Sequence, residues 1–424
     1  MQSQRLAPVI LVLTALGGGP LDAQSRHEHH YDEVDPWAGV GPREQGPDSA
    51  AVAGFFKALA SSDPLICQFA VNNIGNNWGP QHGEYETGKL AGENSLEAAR
   101  RTLNRPVNDA AAISLLSHSL GNQDPCMRRG AAEMLGRSGN EQAVRQLRGA
   151  LRHESARVRE AAALGLASAE DATAFHDLTR ALHDRERAVV RMAAYALGEL
   201  EDARAVKPLG ELLRSSDAET RATAANALGE IEDIRVTDRL TPLVRDADPR
   251  VRMAAVEALG EIEDHRASGA LADALRDREV DVRRAAAEAL GEVESPKSAD
   301  ALARAISDPD MVVRRLAAQA LGELDNLKRA PPSLVAALDH ADTELSIIAA
   351  MSLGEIGDST AVPALSEAYA GAEPRYRYAI VKALAETDDH RGDSVLAQAA
   401  RDKDQAIRHT AAEALKDRRH DDDE

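Results

Sequence analysis

The chain has 424 residues, 43% of them hydrophobic but only 3% aromatic, and 70 acidic against 50 basic side chains give a formal charge of -20. So few rings cannot fill the several ordinary cores that this length suggests, so the interior must pack through small side chains. The acidity argues against a phosphate-backbone ligand, which needs clustered Lys and Arg, and no nucleic acid partner is expected.

Residues 1–23 read as a signal peptide: Arg5, an apolar run from Leu6 to Leu16, then small and turn residues to Ala23. The run is 11 residues long, short of the roughly 20 that a bilayer span needs. Cleavage near Ala23 would leave an exported protein, periplasmic or extracellular, with no transmembrane segment. Residues 24–50 then form a flexible, His-rich and acidic segment. In it His27, His29, His30 and Asp32 are close enough in sequence to wrap zinc or copper. The plain alternative is a polar tail with incidental histidines, and no cofactor is expected.

From residue 51 to 416 the chain repeats itself. VRMAAVEALGEIED from Val251 recurs from Val282 and Val313, and Gly260, Gly291 and Gly322 stand 31 residues apart. The series runs back through Gly229, Gly198, Ala167 and Gly136, and forward, after one inserted residue, through Gly354, Ala385 and Lys416. Weaker copies end at Gly75 and near Arg105, which makes about twelve units.

Each unit reads as two helices. Val251, Ala254, Ala255, Ala258 and Leu259 fall on one face of a 3.6-residue period in the second helix. Asp248-Pro249, Asp124-Pro125, Asp63-Pro64 and Asp308-Pro309 read as caps followed by a proline in the first turn. Gly260 reads as a left-handed stop. First helices are expected over Ala203 to Leu213 and His265 to Leu275. Between residues 76 and 95 a chain rich in Gly, Asn and Pro replaces one first helix by a loop, and Trp78, His82, Glu84 and Tyr85 there are candidate contact residues. Layers about 10 Å apart would hold Cys67 and Cys126 roughly 20 Å apart, too far for a disulfide whose Cα atoms lie within about 7 Å. Two unpaired thiols are expected.

The unit D-x5-R followed by A-A-x-x-A-L-G resembles HEAT repeats, in the short form found in phycobilin lyases and deoxyhypusine hydroxylase. The resemblance implies an all-α fold, a right-handed α-α superhelical solenoid of about twelve 31-residue hairpins, with the second helices on its concave side. Asp246 with Arg252, Asp277 with Arg283, Asp308 with Arg314 and Asp402 with Arg408 are the motif pairs. They read as a structural inter-layer ladder, since a catalytic site has no reason to recur in every layer. Arg128, Arg159, Arg221 and Arg377 hold the same position, while Val190 and Ser346 break the series. The hydroxylase would need His-Glu directly after the ladder arginine. Here those positions read Arg129-Gly130, Glu160-Ala161, Arg284-Ala285, Arg315-Leu316 and His409-Thr410, so that activity is rejected.

Positions that vary between units are free of the packing constraint. Arg191, Tyr195, Met253, Arg284, Arg315, Ile347, Met351 and Tyr378 form such a stripe on the second helices, in residue types common at interfaces. Glu230, Glu261, Glu292, Glu323 and Glu355 line one edge as a solvated acidic ridge, and residues 417–424 form a charged, solvated C-terminal tail. The reading is an exported, monomeric, non-enzymatic scaffold that binds protein or peptide along its concave face. The alternative is a lyase or metal-assisted enzyme using the His-rich segment and the 76–95 loop.

Overall fold

The computed structural model describes residues 47–60, 106–324, 326–387 and 389–421. The 1–23 segment, the histidines at 27, 29 and 30 with Asp32, Cys67, and the loop bearing Trp78, His82, Glu84 and Tyr85 lie outside the described residues.

Helices alternate, short then long. A single turn of 3-10 helix, Ala203–Ala205, runs into Val206–Leu212 as a first helix, and Ala218–Gly229 follows as the second. His265–Ala267 with Ser268–Ala274 and then Val280–Glu292 repeat the pattern. Each second helix packs on the next, from Pro125–Gly136 through Pro249–Glu261 to Gln405–Asp421. The predicted apolar face is the core: Val251, Ala254, Ala255, Ala258 and Leu259 are all buried, as are Leu197, Leu228, Leu290, Leu321, Leu353 and Leu384 in the same phase.

The caps form as expected at two sites. The Asp248 carboxylate accepts the Arg250 N–H at 3.0 Å and Asp124 accepts the Cys126 N–H at 2.9 Å. Asp308 differs. The helix there is Met311–Glu323, capped by Asp310, while Asp308 accepts the Asp310 N–H at 2.9 Å and faces the preceding unit.

The glycines do other work than the sequence suggested. Gly260 lies inside the right-handed helix Pro249–Glu261. A Cβ on it would stand 2.8 Å from the Ala289 Cβ and 3.0 Å from the Ala289 Cα of the next second helix, closer than carbon atoms pack. Glycine therefore serves helix approach. The left-handed residue comes three positions later, at Glu170, Glu201, Glu232, Glu263, Glu294 and Gly357, and four positions after Gly322 at Asn326. The one-residue insertion falls at this turn: the helix Met311–Glu323 ends on an extended Leu324 rather than a helical cap.

Regular stacking fails at the N-terminal end. Helix Ser49–Ala60 packs directly on Ala110–Ser119, which the repeat count places two units away. Cys126 is disulfide-bonded, which corrects the expectation of two unpaired thiols; that expectation rested on an uninterrupted stack. The sequence holds one other cysteine, Cys67. At the other end Arg418, expected in a solvated tail, is buried in helix Gln405–Asp421, where it donates to the carbonyls of Leu384, Thr387 and Asp389 and pairs with Asp393. Among the described residues no helix is long and apolar enough to cross a membrane.

Candidate functional site: the face of the second helices

The ladder runs between units, not within them. Arg252 Nε and Nη2 donate to the Asp277 carboxylate of the next unit at 2.7 and 2.8 Å, while Nη1 donates to the backbone carbonyl of Asp246 at 3.0 Å. The six-residue spacing thus reflects a bond to the carbonyl of the motif aspartate, and the carboxylate serves the arginine of the previous layer. Arg159 with Asp184, Arg221 with Asp246, Arg283 with Asp308 and Arg377 with Asp402 repeat this bidentate contact. The Arg159 hydrogen bond holds the Asp184 carboxyl below its ordinary range, against the opposing effect of burial.

Where the ladder arginine is lost, both ends of a rung change together. Val190 faces the register position of Ser215, and Ser346 that of Gly371, each 25 residues on, so no carboxylate is stranded. Ser215 keeps the turn bond, its Oγ accepting the Asp217 N–H at 3.2 Å. Two other rungs retain arginine but replace aspartate by histidine. His153 Nδ1 accepts the Ser155 N–H at 3.0 Å and His340 Nδ1 accepts the Asp342 N–H at 2.9 Å, so each neutral ring carries its proton on Nε2.

A second set of bridges involves the stripe arginines. Arg284 Nε and Nη2 chelate Asp310 at 3.0 and 2.7 Å, and Arg315 chelates Asp342 at 3.0 and 2.6 Å. Arg191 reaches Asp217 at 3.3 Å and Glu219 at 3.4 Å. Arg284 holds the Asp310 carboxyl down to about 2. These aspartates are helix caps one unit on, and the in-phase recurrence of Arg191, Arg284 and Arg315 with Asp217, Asp310 and Asp342 was the signal for it. Ile347 is buried, Met253 and Met351 pack half-buried against the core, and Tyr195 and Tyr378 stay exposed.

Arg191 and Tyr195 of the stripe share a cleft. Helices Arg187–Glu199 and Ala218–Gly229 enclose about 470 Å³ lined by Arg191, Tyr195, Glu199, Glu219, Asn226 and Glu230, among others. Burial, then the Glu199 charge, pushes the Tyr195 phenol well up. Glu199 and Glu230 begin a row that continues through Glu261, Glu292, Glu323, Glu355 and Glu386 in phase with the repeat. The row is largely the solvated ridge expected, with Glu230, Glu292, Glu323, Glu355 and Glu386 exposed and Glu199 and Glu261 half-buried, yet its carboxylates crowd the helix contacts. From Gly229 to Gly354, each row glycine has the glutamate oxygen of the next unit where its Cβ would stand: Gly229 has Glu261, Gly260 has Glu292 and Gly354 has Glu386. Burial first, and then the neighbouring carboxylates Glu230, Glu257 and Glu292, pushes Glu261 up to about 7. Burial likewise raises Glu199, Glu230, Glu257, Glu355 and Glu386. Among the described residues no group of His, Cys, Asp and Glu is arranged to hold a metal ion.

The family model for HEAT repeats matches residues 93–167, 146–218, 206–289, 269–345 and 331–416. A structure of Kap95p with RanGDP is similar at 14% identity and TM-score 0.51, covering 86% of this chain and 56% of that one. An engineered protein aligns at 22% identity and TM-score 0.47, over 72% of this chain and 98% of its own. The CpcE and CpcF complex of phycocyanin lyase from Nostoc sp. aligns at 22% identity and TM-score 0.35, over 57% and 93%. No curated protein matches the chain. With consecutive second helices packed in series and a family model matched over most of its length, the chain belongs to the HEAT-repeat family.

Proposed function

We propose that the protein is an exported, monomeric, non-enzymatic scaffold whose second-helix face binds a basic segment of a partner protein. The observation that carries this reading is the cleft at Tyr195. The exposed Tyr195 lines it together with Glu199 and Glu230, and Arg191, the one cation among its described lining residues, is already paired with Asp217 and Glu219. Carboxylates crowded beside other carboxylates gain when a Lys or Arg side chain neutralises them, and an aromatic ring beside them adds a cation–π contact. The acidic row extends the same chemistry over further units, so an extended peptide would meet several acceptors in succession. The disulfide at Cys126 supports an oxidising compartment, consistent with the leader-like residues 1–23.

Fluorescence anisotropy with a labelled arginine-rich peptide and with its acidic counterpart tests the binding face. The basic peptide should bind, weaken with salt, and lose about tenfold in affinity with Tyr195→Ala combined with Glu230→Gln. Equal binding of both peptides, or no change in the variant, would refute the reading. Export is checked separately by N-terminal sequencing of the protein from the exported fraction, where a new start near Gln24 is expected.

A further inference from the structure

Arg314 sits as the arginines of the intact rungs do. Its Nη1 donates to the carbonyls of Asp308 at 2.9 Å and Pro309 at 3.1 Å, the pose in which Arg252 donates to Asp246 at 3.0 Å and Ala247 at 3.4 Å. That anchor leaves the Nε and Nη2 edge for the next unit. In Arg159, Arg221, Arg252, Arg283 and Arg377 this edge holds a carboxylate at 2.7 to 3.1 Å.

For Arg314 the acceptor position belongs to His340. Its Nδ1 is engaged by the Asp342 N–H, so the neutral ring offers a donor and no second acceptor. Arg314 Nε is buried and has no acceptor among the described residues. The surrounding carboxylates are committed elsewhere, Asp308 to Arg283, Asp310 to Arg284 and Asp342 to Arg315. Asp339 is exposed and does not reach the Nε. A charged donor buried without an acceptor is costly, and a bidentate carboxylate is the partner whose shape fits this edge.

We propose that the Nε and Nη2 edge of Arg314, at the His340 rung, is a receptor for a carboxylate brought from outside the repeat stack, either a small free acid or a peptide terminus. The intact rungs are five copies of this receptor with the ligand built into the chain. Arg314 is only partly buried and His340 beside it is exposed, so a swing of the His340 ring opens the covered Nε edge to a small anion.

The test uses the full chain and its thermal unfolding midpoint in sodium acetate against sodium chloride at equal ionic strength. Acetate should raise the parent midpoint saturably, by about 2 °C near tenfold excess over its dissociation constant. His340→Asp supplies an internal carboxylate. It should raise the midpoint in chloride and lose the acetate response. His340→Asn can still accept the Asp342 N–H but brings no charge, and should keep the response. An equal acetate response in the parent and His340→Asp, or none in the parent, overturns the proposal. N-acetylated dialanine with a free C-terminus, against its C-terminal amide, separates the two sources. A larger shift than with acetate assigns the site to a peptide terminus, and an equal one assigns it to a small free acid.

Discussion

Gly198 lies directly against Ala227 of the next second helix: a Cβ added to Gly198 would stand 2.8 Å from the Ala227 Cα and 3.3 Å from its carbonyl oxygen. Backbone atoms cannot rotate away, so Gly198→Ala must push two units apart. It should cost about 1 to 3 kcal/mol despite the better helix propensity of alanine. Gly149, in helix Glu141–Ala150, has nothing within 4 Å of the same position. There Gly149→Ala should stabilise by about 0.5 to 1 kcal/mol. Urea unfolding followed by circular dichroism distinguishes the two signs.

Truncating a ladder arginine leaves its aspartate in a space shaped for an ion pair. Arg252 and Asp277 have side chains only 7% and 12% exposed, so Arg252→Ala should destabilise by about 3 kcal/mol. Arg235 pairs with Asp233 at the surface, and Arg235→Ala should leave the unfolding curve unchanged. Equal losses in the two variants would mean that burial does not set the value of a rung.

The neutral rung at Val190 and Ser215 can be converted into a charged one. Val190→Arg alone places a guanidinium at a buried position with no carboxylate opposite, and should destabilise. Adding Ser215→Asp should recover stability, with a coupling of about 1 to 3 kcal/mol in a double-mutant cycle. Additive effects would show that register alone does not bring the two positions together.

Glu261 gives a pH dependence of determined sign. Its carboxyl is pushed from an ordinary 4.5 up to about 7 by burial and then by Glu230, Glu257 and Glu292. Between those values the folded protein holds a proton that the unfolded chain has released, so stability falls as pH rises through the window and is level above it. Glu261→Gln removes the ionisation. It should be more stable than the parent at pH 8, on the order of 1 kcal/mol after solvent screening, and no more stable at pH 4. Unfolding midpoints at the two pH values check this.

The repeat, its 31-residue period and the buried face from Val251 to Leu259 were legible in the sequence because the same packing demand recurs in every unit and selects the same residues each time. The mismatch came wherever a residue answers to the next unit instead of its own. Gly260 looked like a helix stop, but its reason is Ala289. The Asp246 and Arg252 spacing looked like a pair, yet Arg252 bonds the carboxylate of Asp277, 25 residues on. Arg284 and Arg315 looked free because they vary between units, yet caps of the following helices hold them. Local pattern determined which residues form helices and which face is apolar, since both depend on near neighbours along the chain. Which charges are neutralised, and which carboxylates along the Glu261 row are left close together, depended on how one layer lies on the next, because electrostatic energy follows distance in space and burial, not separation in sequence.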